Sequence, residues 1–326
     1  MQATAIAHAN IALVKYWGKR DKQYNLPAVG SISITLKNLF TKTRVVFDAG
    51  FGQDRFLLNG GVADKSQTAR VSRFLDLVRR PDEKKLWALV ESENNFPTGA
   101  GLASSASGFA ALSLAASEAL GMELSPRELS VLARQGSGSA ARSVFGGFVE
   151  MKKGENPDGS DSYAVQLATE NYWNLAVLIA ITSEERKKTG STRGMILSQE
   201  TSPYYNSWVQ SSQQDLDLCR EAIIRKDFSL LAQVSEFSCL KMHALAMSSQ
   251  PGIVYWNGIT VDVLHTIRQL RQQGVPVFFT IDAGPQVKAI CEPGAVDQVR
   301  DTILGIDGIR KVILSPPGPD AKIVEE

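Results

Sequence analysis

Cysteine is scarce in this sequence, and neither sign of charge is in excess. The chain of 326 residues has three cysteines, Cys219, Cys239 and Cys291, which are widely spaced and form no CxxC pair. That number and spacing argue against a disulfide framework and against a structural zinc site. The 35 basic and 34 acidic side chains give a formal net charge of +1. Proteins that bind nucleic acid usually carry a clear basic excess, so we expect no nucleic-acid partner.

Long apolar runs are also missing. No stretch approaches the roughly 20 apolar residues of a membrane-spanning helix. Residues 1–5 lack the charged segment and apolar run of a signal peptide. Hydrophobic residues make up 44% and charged residues 21% of the chain, which is the balance of a globular protein. We therefore expect a cytoplasmic protein without a membrane partner, long enough for two domains.

Strand and helix patterns mix in both halves, which favours an α+β fold. Residues 104–120, rich in Ala, Leu and Ser, predict a buried helix. Ser125, with Glu128 three positions later, predicts a capping box that starts a helix through Arg134. Segments rich in β-forming residues predict strands at 43–47, 55–59, 86–92, 146–152 and 173–182.

The second half is mostly helical by pattern. Residues 204–247 predict helix, with breaks near 226–227 and near Ser238. The apolar, β-branched and aromatic run 275–281 predicts a strand buried on both faces. Further elements are predicted as helices at 261–273 and 295–304 and a strand at 310–314. We expect the domain boundary in the polar stretch 183–193.

Residues 97–107 are the most distinctive segment, with five Gly or Ala and three Ser among eleven residues. Small residues let the backbone approach a ligand, and the N–H groups and dipole at a helix start favour phosphate. Ser104 and Ser105 add hydroxyls for phosphate oxygens or magnesium. The segment fits neither the P-loop nor the dinucleotide-binding pattern. The alternative is an ordinary capped helix start, but the composition exceeds what a cap needs.

Two further segments join cations to small or aromatic residues. In residues 136–142 a tight Gly-Ser backbone would present Arg142 to a carboxylate or phosphate, or would form a flexible turn with a surface arginine. In residues 15–20, Lys15 and Lys19 would bind an anionic substrate beside Tyr16 and Trp17. The alternative is a basic loop whose two aromatic side chains pack on the core.

Asp282 follows the predicted buried strand. A carboxylate there would be fixed and partly desolvated, as a general base requires. Alternatively it caps a helix that starts at Gly284 and Pro285. The three histidines, His8, His243 and His265, share no metal-binding spacing, and His265 is expected on the surface.

In this order, the segments resemble the diphosphomevalonate decarboxylase family. It belongs to the galactokinase, homoserine kinase, mevalonate kinase and phosphomevalonate kinase superfamily. The matching pieces are residues 10–12, 15–21, 25–27, 31–33, 97–112, 136–143 and 282–285. The resemblance implies an N-terminal domain like the second domain of ribosomal protein S5 (1–187), which binds nucleotide and substrate. It implies a ferredoxin-like C-terminal domain (188–326) that carries Asp282, with the active site in the cleft between them.

The resemblance also implies the reaction and its residues. A homodimeric ATP-dependent carboxy-lyase with ATP and Mg²⁺ would phosphorylate the 3-hydroxyl of mevalonate 5-diphosphate in isoprenoid biosynthesis. Loss of phosphate and CO₂ would then give isopentenyl diphosphate. The catalytic residues would be Asp282, Arg142, Lys15 and Ser105, with Ser105 also at the metal. Substrate would contact Tyr16, Lys19, Asn25, Ser137, Ser139 and Arg142, and nucleotide would contact Pro97, Gly99, Ala100, Gly101, Leu102, Ala103, Ser104 and Ser105.

Two positions and two functions stay open. Gln286 stands where the family usually has asparagine, and Arg193 does not align cleanly with the diphosphate-binding arginine of some relatives. A decarboxylase of mevalonate 5-phosphate, or a non-catalytic relative that binds a metabolite or nucleotide, is the alternative function. The presence of Asp282, Lys15 and Arg142 together favours the decarboxylase.

Overall fold

The structure, a computed structural model, describes residues 1–79, 86–96, 104–185 and 187–325. Within these ranges, two sheets with helices packed on them form an α+β fold, which confirms the predicted class. None of the described helices has the length and apolar character needed to cross a bilayer.

The larger sheet is built on two long antiparallel strands, β1 (Gln2–Val14) and β4 (Ser31–Asp48). From Leu39 to Asp48, β4 alternates between buried and more exposed residues, whereas residues 31–36 are buried throughout. That buried end of β4 passes between the two halves of the molecule. The other strands described in this half are β2 (Lys19–Asp21), β3 (Leu26–Pro27), β5 (Arg55–Leu58), β6 (Gly61–Val62), β7 (Trp87–Asn94), β8 (Phe148–Met151) and β9 (Ala164–Ala168).

Helices of the first half pack on this sheet through small residues. Alanines of β1 and of α2 (Ser104–Ala119) share one core, so helix and strand approach closely. The predicted capping box is confirmed, because Ser125 accepts from the Glu128 N–H and the Glu128 side chain bonds back to Ser125. The remaining helices here are α1 (Lys65–Val78), α3 (Pro126–Gly136) and a 3-10 helix (Gly138–Val144).

The second sheet is antiparallel, in the order β11–β12–β10–β13. Every residue of β10 is buried, since its alternate side chains enter two different cores. The same holds for β11, as the apolar run predicted. The strands are β10 (Ala176–Ile181), β11 (Val277–Ile281), β12 (Val287–Cys291) and β13 (Lys311–Ser315).

Five helices pack on the second sheet and at its junction with the first. The predicted break at 226–227 is confirmed, but the break near Ser238 is wrong, because α6 runs through it. The Ser238 hydroxyl accepts from the Lys15 backbone N–H at 3.0 Å and does not interrupt its own helix. These helices are α4 (Ser191–Thr201), α5 (Tyr205–Arg225), α6 (Phe228–Met247), α7 (Gly258–Gln272) and α8 (Val296–Leu304).

The chain finally returns to the first sheet. A short strand, β14 (Lys322–Ile323), pairs antiparallel with β1. A separate core joins the halves around Trp17, which packs with Met195, Trp208 and Tyr255. The Trp208 indole donates to the Trp17 carbonyl at 2.9 Å. The halves are therefore fixed to one another beside the segment that carries Lys15 and Tyr16.

Candidate active site

A cavity of about 740 Å³ lies between the two halves of the chain. Its lining includes every described side chain that the sequence singled out as catalytic or substrate-binding. From the first half these are Lys15, Tyr16, Lys19, Asn25, Ser105, Ser137, Ser139 and Arg142, and from the second half Asp282. These residues come from segments that are far apart in the sequence, and the cavity brings the segments together.

Asp282 leaves the end of β11 and faces this cavity. The chain then continues through residues 283–286 into β12, so the alternative of a helix cap is wrong. Lys15, which is 1% exposed, donates to Asp282 Oδ1 at 2.7 Å and to the Ala12 carbonyl at 2.8 Å. The carboxylate is thereby held in one orientation, with its side chain still 23% exposed.

A second buried lysine approaches the same carboxylate. Lys288 Nζ on β12 lies 3.7 Å from Asp282 Oδ2. Burial favours a raised pKa for Asp282, but the charges of Lys15 and Lys288 and the hydrogen bond from Lys15 outweigh it and lower the pKa to about 2. Asp282 is therefore an anion at any physiological pH.

Arg142 is held by uncharged partners. Its guanidinium, in a residue only 2% exposed, donates to Ser33 Oγ at 2.9 Å, to Asn10 Oδ1 at 3.1 and 3.3 Å, and to Ser31 Oγ. Burial lowers the pKa of Arg142 to about 10, partly opposed by Asp282 and Tyr16. Arg142 therefore stays charged at neutral pH. Because its side chain is buried and hydrogen-bonded, the alternative of a surface arginine on a flexible turn is wrong.

Three serines link the start of α2 to the 3-10 helix. Ser137 Oγ lies 3.4 Å from both Ser105 Oγ and Ser139 Oγ. Ser104 and Ser105 stand at the first turn of α2, where N–H groups and the helix dipole attract anions. The hydroxyls of both predicted sites therefore meet at one place.

Tyr16 and Asn25 complete the wall. Burial raises the pKa of Tyr16, and its hydroxyl has no hydrogen-bond partner among the described residues. A Cβ at Gly138 would lie 2.5 Å from that hydroxyl, so only glycine permits this approach. Asn25 donates to the Arg134 carbonyl at 2.6 Å from a left-handed backbone, φ 56°, which asparagine tolerates.

Positive charge dominates the cavity. Its described lining has one carboxylate, Asp282, against seven cations, namely Lys15, Lys19, Lys22, Arg70, Arg73, Arg142 and Lys187. Lys187 donates to the Ala283 carbonyl and to Ser191 Oγ, both at 3.0 Å. Burial lowers the pKa of Lys19 and of Lys187. An arrangement of this kind binds polyanions.

A neighbouring cavity of about 510 Å³ shares Arg70, Ser104 and Ser105 with the first. Apolar side chains of Phe56, Leu58, Val71, Phe109 and Leu112 line it, together with the polar Ser92 and Asn94. This mixture suits a flat heteroaromatic ring with polar edges. The first turn of α2 thus stands at the junction of the two cavities.

Several contributors carry no role in the sequence-based interpretation, namely Asn10, Ser31, Ser33, Arg70, Lys187 and Lys288. Asn10 and the two serines lie in matched segments, but only their contacts with Arg142 reveal what they do. Lys288 is the one charged residue of the otherwise apolar strand β12, and a single lysine in such a run is a signal for a buried functional cation.

The other residues that the sequence singled out lie at several places in the fold. Trp17 is 1% exposed and packs in the junction core, as the alternative for that segment proposed. His265 is exposed, as predicted. The Gln286 side chain accepts from the Thr182 N–H at 2.7 Å, so its amide fixes the turn after Asp282. Arg193 is exposed and outside the described cavity lining. Pro97, Gly99, Ala100, Gly101, Leu102 and Ala103 lie outside the described residues.

Comparison with known proteins covers nearly the whole chain. Residues 7–164 match the diphosphomevalonate decarboxylase-like N-terminal domain, and residues 177–306 match the mevalonate 5-diphosphate decarboxylase C-terminal domain. The diphosphomevalonate decarboxylase of Candida albicans is 38% identical over 312 residues, which span 91% of this chain and 86% of that protein.

Solved structures give the same result. A protein called MDDEF, in complex with MVAPP, AMPPCP and magnesium, is 40% identical, with a TM-score of 0.93 over 100% of this chain and 99% of the other. The mevalonate diphosphate decarboxylase of Enterococcus faecalis, whose structure concerns ATP binding mediated by mevalonate diphosphate, is 39% identical. Its TM-score is 0.92, again over 100% and 99% of the two chains.

Proposed function

The chain belongs to the diphosphomevalonate decarboxylase family, and we propose that it uses ATP to convert mevalonate 5-diphosphate into isopentenyl diphosphate, ADP, phosphate and CO₂. One observation carries this proposal. A single cavity holds a fixed carboxylate, a buried arginine and the first turn of α2. Those groups match a substrate with a hydroxyl, a carboxylate and a phosphorylated end, together with a nucleotide.

The substrate is oriented from its two charged ends. Arg142 binds the carboxylate, because a guanidinium donates two parallel hydrogen bonds to such a group. Lys19, with the hydroxyls of Ser137, Ser139 and Tyr16, binds the diphosphate, and Lys22 and Arg73 add positive charge nearby. The 3-hydroxyl, which lies between these ends, then faces Asp282.

The nucleotide occupies the second cavity. Its base packs among Phe56, Val71 and Phe109, and its phosphates reach Ser104, Ser105 and Arg70, where the cavities meet. No group of three or more His, Cys, Asp or Glu among the described residues could hold a metal ion. Magnesium that takes most of its ligands from phosphate and water fits this donor set, with the Ser105 hydroxyl as a protein ligand. When bound, it supplies charge neutralisation at the phosphates.

Asp282 serves both chemical steps. It accepts a hydrogen bond from the 3-hydroxyl and orients that oxygen toward the terminal phosphorus of ATP. Because its pKa is about 2, it is a weak base toward an alcohol, so the proton leaves only as the new P–O bond forms and passes on to a phosphate oxygen or water, which leaves Asp282 ionised. Departure of the 3-phosphate next leaves positive charge at the tertiary carbon, which the nearby anion stabilises.

Decarboxylation follows from the same geometry. The C–C bond to the carboxylate breaks, its electron pair forms the alkene at the cationic carbon, and CO₂ leaves. Arg142 holds the carboxylate in line for this cleavage through a rigid fork. Its buried position excludes water, which would otherwise capture the cation.

Substrate choice is the first test. The enzyme is incubated with ATP and mevalonate, mevalonate 5-phosphate or mevalonate 5-diphosphate, and ADP, phosphate and the organic product are quantified, the last by mass. We expect one ADP, one phosphate and one isopentenyl diphosphate per diphosphate consumed. Preference for the monophosphate would replace our assignment with the alternative decarboxylase. Binding without turnover of any of the three would establish a non-catalytic relative.

The assembly and compartment belong to the same proposal. The enzyme works as a homodimer in the cytoplasm, and its three cysteines, all free and buried, suit the reducing conditions of that compartment. Light scattering after size-exclusion chromatography measures the mass directly. A single 35.4 kDa species at working concentration would contradict the dimer.

A further inference from the structure

The partners of Arg142 differ from those of Lys15 and Lys288, the two lysines beside the Asp282 carboxylate. Lys15 and Lys288 both approach the Asp282 carboxylate, whereas no ion pair involves Arg142 in the described parts of the chain. Its hydrogen bonds go to two serine hydroxyls and one amide oxygen. A buried guanidinium without a counter-ion is costly, so this arrangement calls for an explanation.

Arg134 shows what a structural arginine looks like in the same fold. It is 1% exposed and donates to backbone carbonyls, including those of Gly159 and Ser162. It is absent from the described lining of the cavity. Arg142 is similarly buried but lines the cavity, so its positive charge faces the space that the substrate carboxylate would occupy.

The partners of Arg142 are fixed by strand geometry. Ser31 and Ser33 are two residues apart on β4, so their side chains project from the same face. Both positions are paired in the sheet, Ser33 opposite Ala12 on β1 and Ser31 opposite Met151 on β8. Both serines are 0% exposed, and neither is part of the described cavity lining.

The amide of Asn10 completes this arrangement. Asn10 Nδ2 donates to the Ser139 carbonyl at 3.0 Å and to Ser143 Oγ at 2.7 Å. These two acceptors orient the amide so that its oxygen faces Arg142. Strand β1 and the 3-10 helix therefore hold the uncharged amide oxygen of Asn10, the third partner, toward the Arg142 guanidinium.

We propose that Ser31 and Ser33 are positioning residues, which orient Arg142 with uncharged acceptors so that its full positive charge remains for the substrate carboxylate. The inference rests on the proposed function, in which Arg142 binds that carboxylate. An acidic residue at either serine would satisfy the arginine internally and compete with the substrate.

The test compares Ser33→Asp with Ser33→Asn, because these side chains have nearly the same volume and differ in charge. We expect the KM for mevalonate 5-diphosphate to be about 10- to 100-fold higher in Ser33→Asp than in Ser33→Asn. The KM for ATP should be equal in the two variants. The melting temperature of Ser33→Asp should match or exceed that of Ser33→Asn, since its new charge is paired.

Equal substrate KM values in the two variants would overturn the inference. If neither variant folds, Ser33→Ala and Ser33→Thr decide instead. Retention of the substrate KM in Ser33→Thr with a rise in Ser33→Ala supports the positioning role, and an unchanged KM in Ser33→Ala contradicts it. Wild-type enzyme is assayed alongside, because its failure to convert mevalonate 5-diphosphate would instead refute the proposed function.

Discussion

At the scale of single residues, the site combines two opposite electrostatic arrangements. The Asp282 carboxylate has two lysines within 4 Å, whereas Arg142 makes its hydrogen bonds, within the described residues, to neutral groups. The two lysines keep the Asp282 carboxylate ionised, whereas the neutral groups around Arg142 leave its guanidinium without an adjacent counter-ion in the described part of the chain. Together they leave the cavity with a surplus of positive charge for an anionic substrate and nucleotide.

Replacement of Asp282 by asparagine tests its part in the chemistry. Asp282→Asn preserves shape and removes the charge, so we expect turnover to fall by at least about 1,000-fold. The affinity for ATP, measured by calorimetry, should stay within a few-fold of wild type, because the nucleotide site that we propose is the neighbouring cavity. A variant that turns over at a comparable rate would remove Asp282 from the mechanism.

Lys288 lets the ionisation of Asp282 be tested. With Lys15, Lys288 and Arg142 facing it, Asp282 has a pKa of about 2, so its protonation does not limit the wild-type rate above about pH 4. Lys288→Met removes one cation, which raises that pKa and moves the acid limb of kcat/KM to higher pH. Lys288→Arg keeps the charge and should restore the wild-type profile. Superimposable profiles for Lys288→Met and wild type would show that Lys288 has no influence on Asp282.

At the scale of elements, α2 joins the two cavities. Ser105 at its first turn is exposed, whereas Ser113 in its middle donates to the Phe109 carbonyl inside the helix. We expect Ser105→Ala to raise the KM for ATP or lower kcat by about tenfold, with a smaller effect on the KM for mevalonate 5-diphosphate. Ser113→Ala is the matched control and should leave both KM values unchanged. An identical ATP dependence in Ser105→Ala would exclude a nucleotide role.

The N-terminus of α3 offers a stability test away from the chemistry. Ser125 caps this helix, and its N–H and hydroxyl both bond Glu128 at the surface. Loss of such a cap costs about 1 kcal/mol, so Ser125→Ala should lower the free energy of unfolding in urea by that amount. The steady-state constants should not change. A stability equal to wild type would mean that the cap contributes nothing here.

Elements also differ in how well the sequence predicts them. The capping box at Ser125 and the all-buried strand β11 follow from local patterns, and both are confirmed. Strand β1 is not predicted, because its alanines have low strand propensity and fit only because α2 packs closely on them. The break expected at Ser238 is wrong, since the partner of that hydroxyl lies 223 positions away, at Lys15.

At the scale of the whole molecule, the site is built from long-range contacts. Lys15 and Asp282 are 267 positions apart, and Asn10 and Arg142 are 132 apart. Spacing alone does not predict such pairs; the resemblance to a family placed them in one cleft. The neutral partners of Arg142 and the second lysine at Asp282 depend on side-chain packing, which no local pattern encodes. The division at 187 and 188 stays a prediction, and limited proteolysis with mass spectrometry is its test.

The central claim is that Asp282 and the first turn of α2 act on opposite sides of one substrate hydroxyl. A crystal structure of Asp282→Asn with mevalonate 5-diphosphate, ATP and magnesium measures this most directly. We expect the 3-hydroxyl within hydrogen-bond distance of residue 282 and in line with the terminal phosphorus, with the carboxylate on Arg142. A nucleotide bound on another surface, or a hydroxyl directed away from residue 282, would contradict the account.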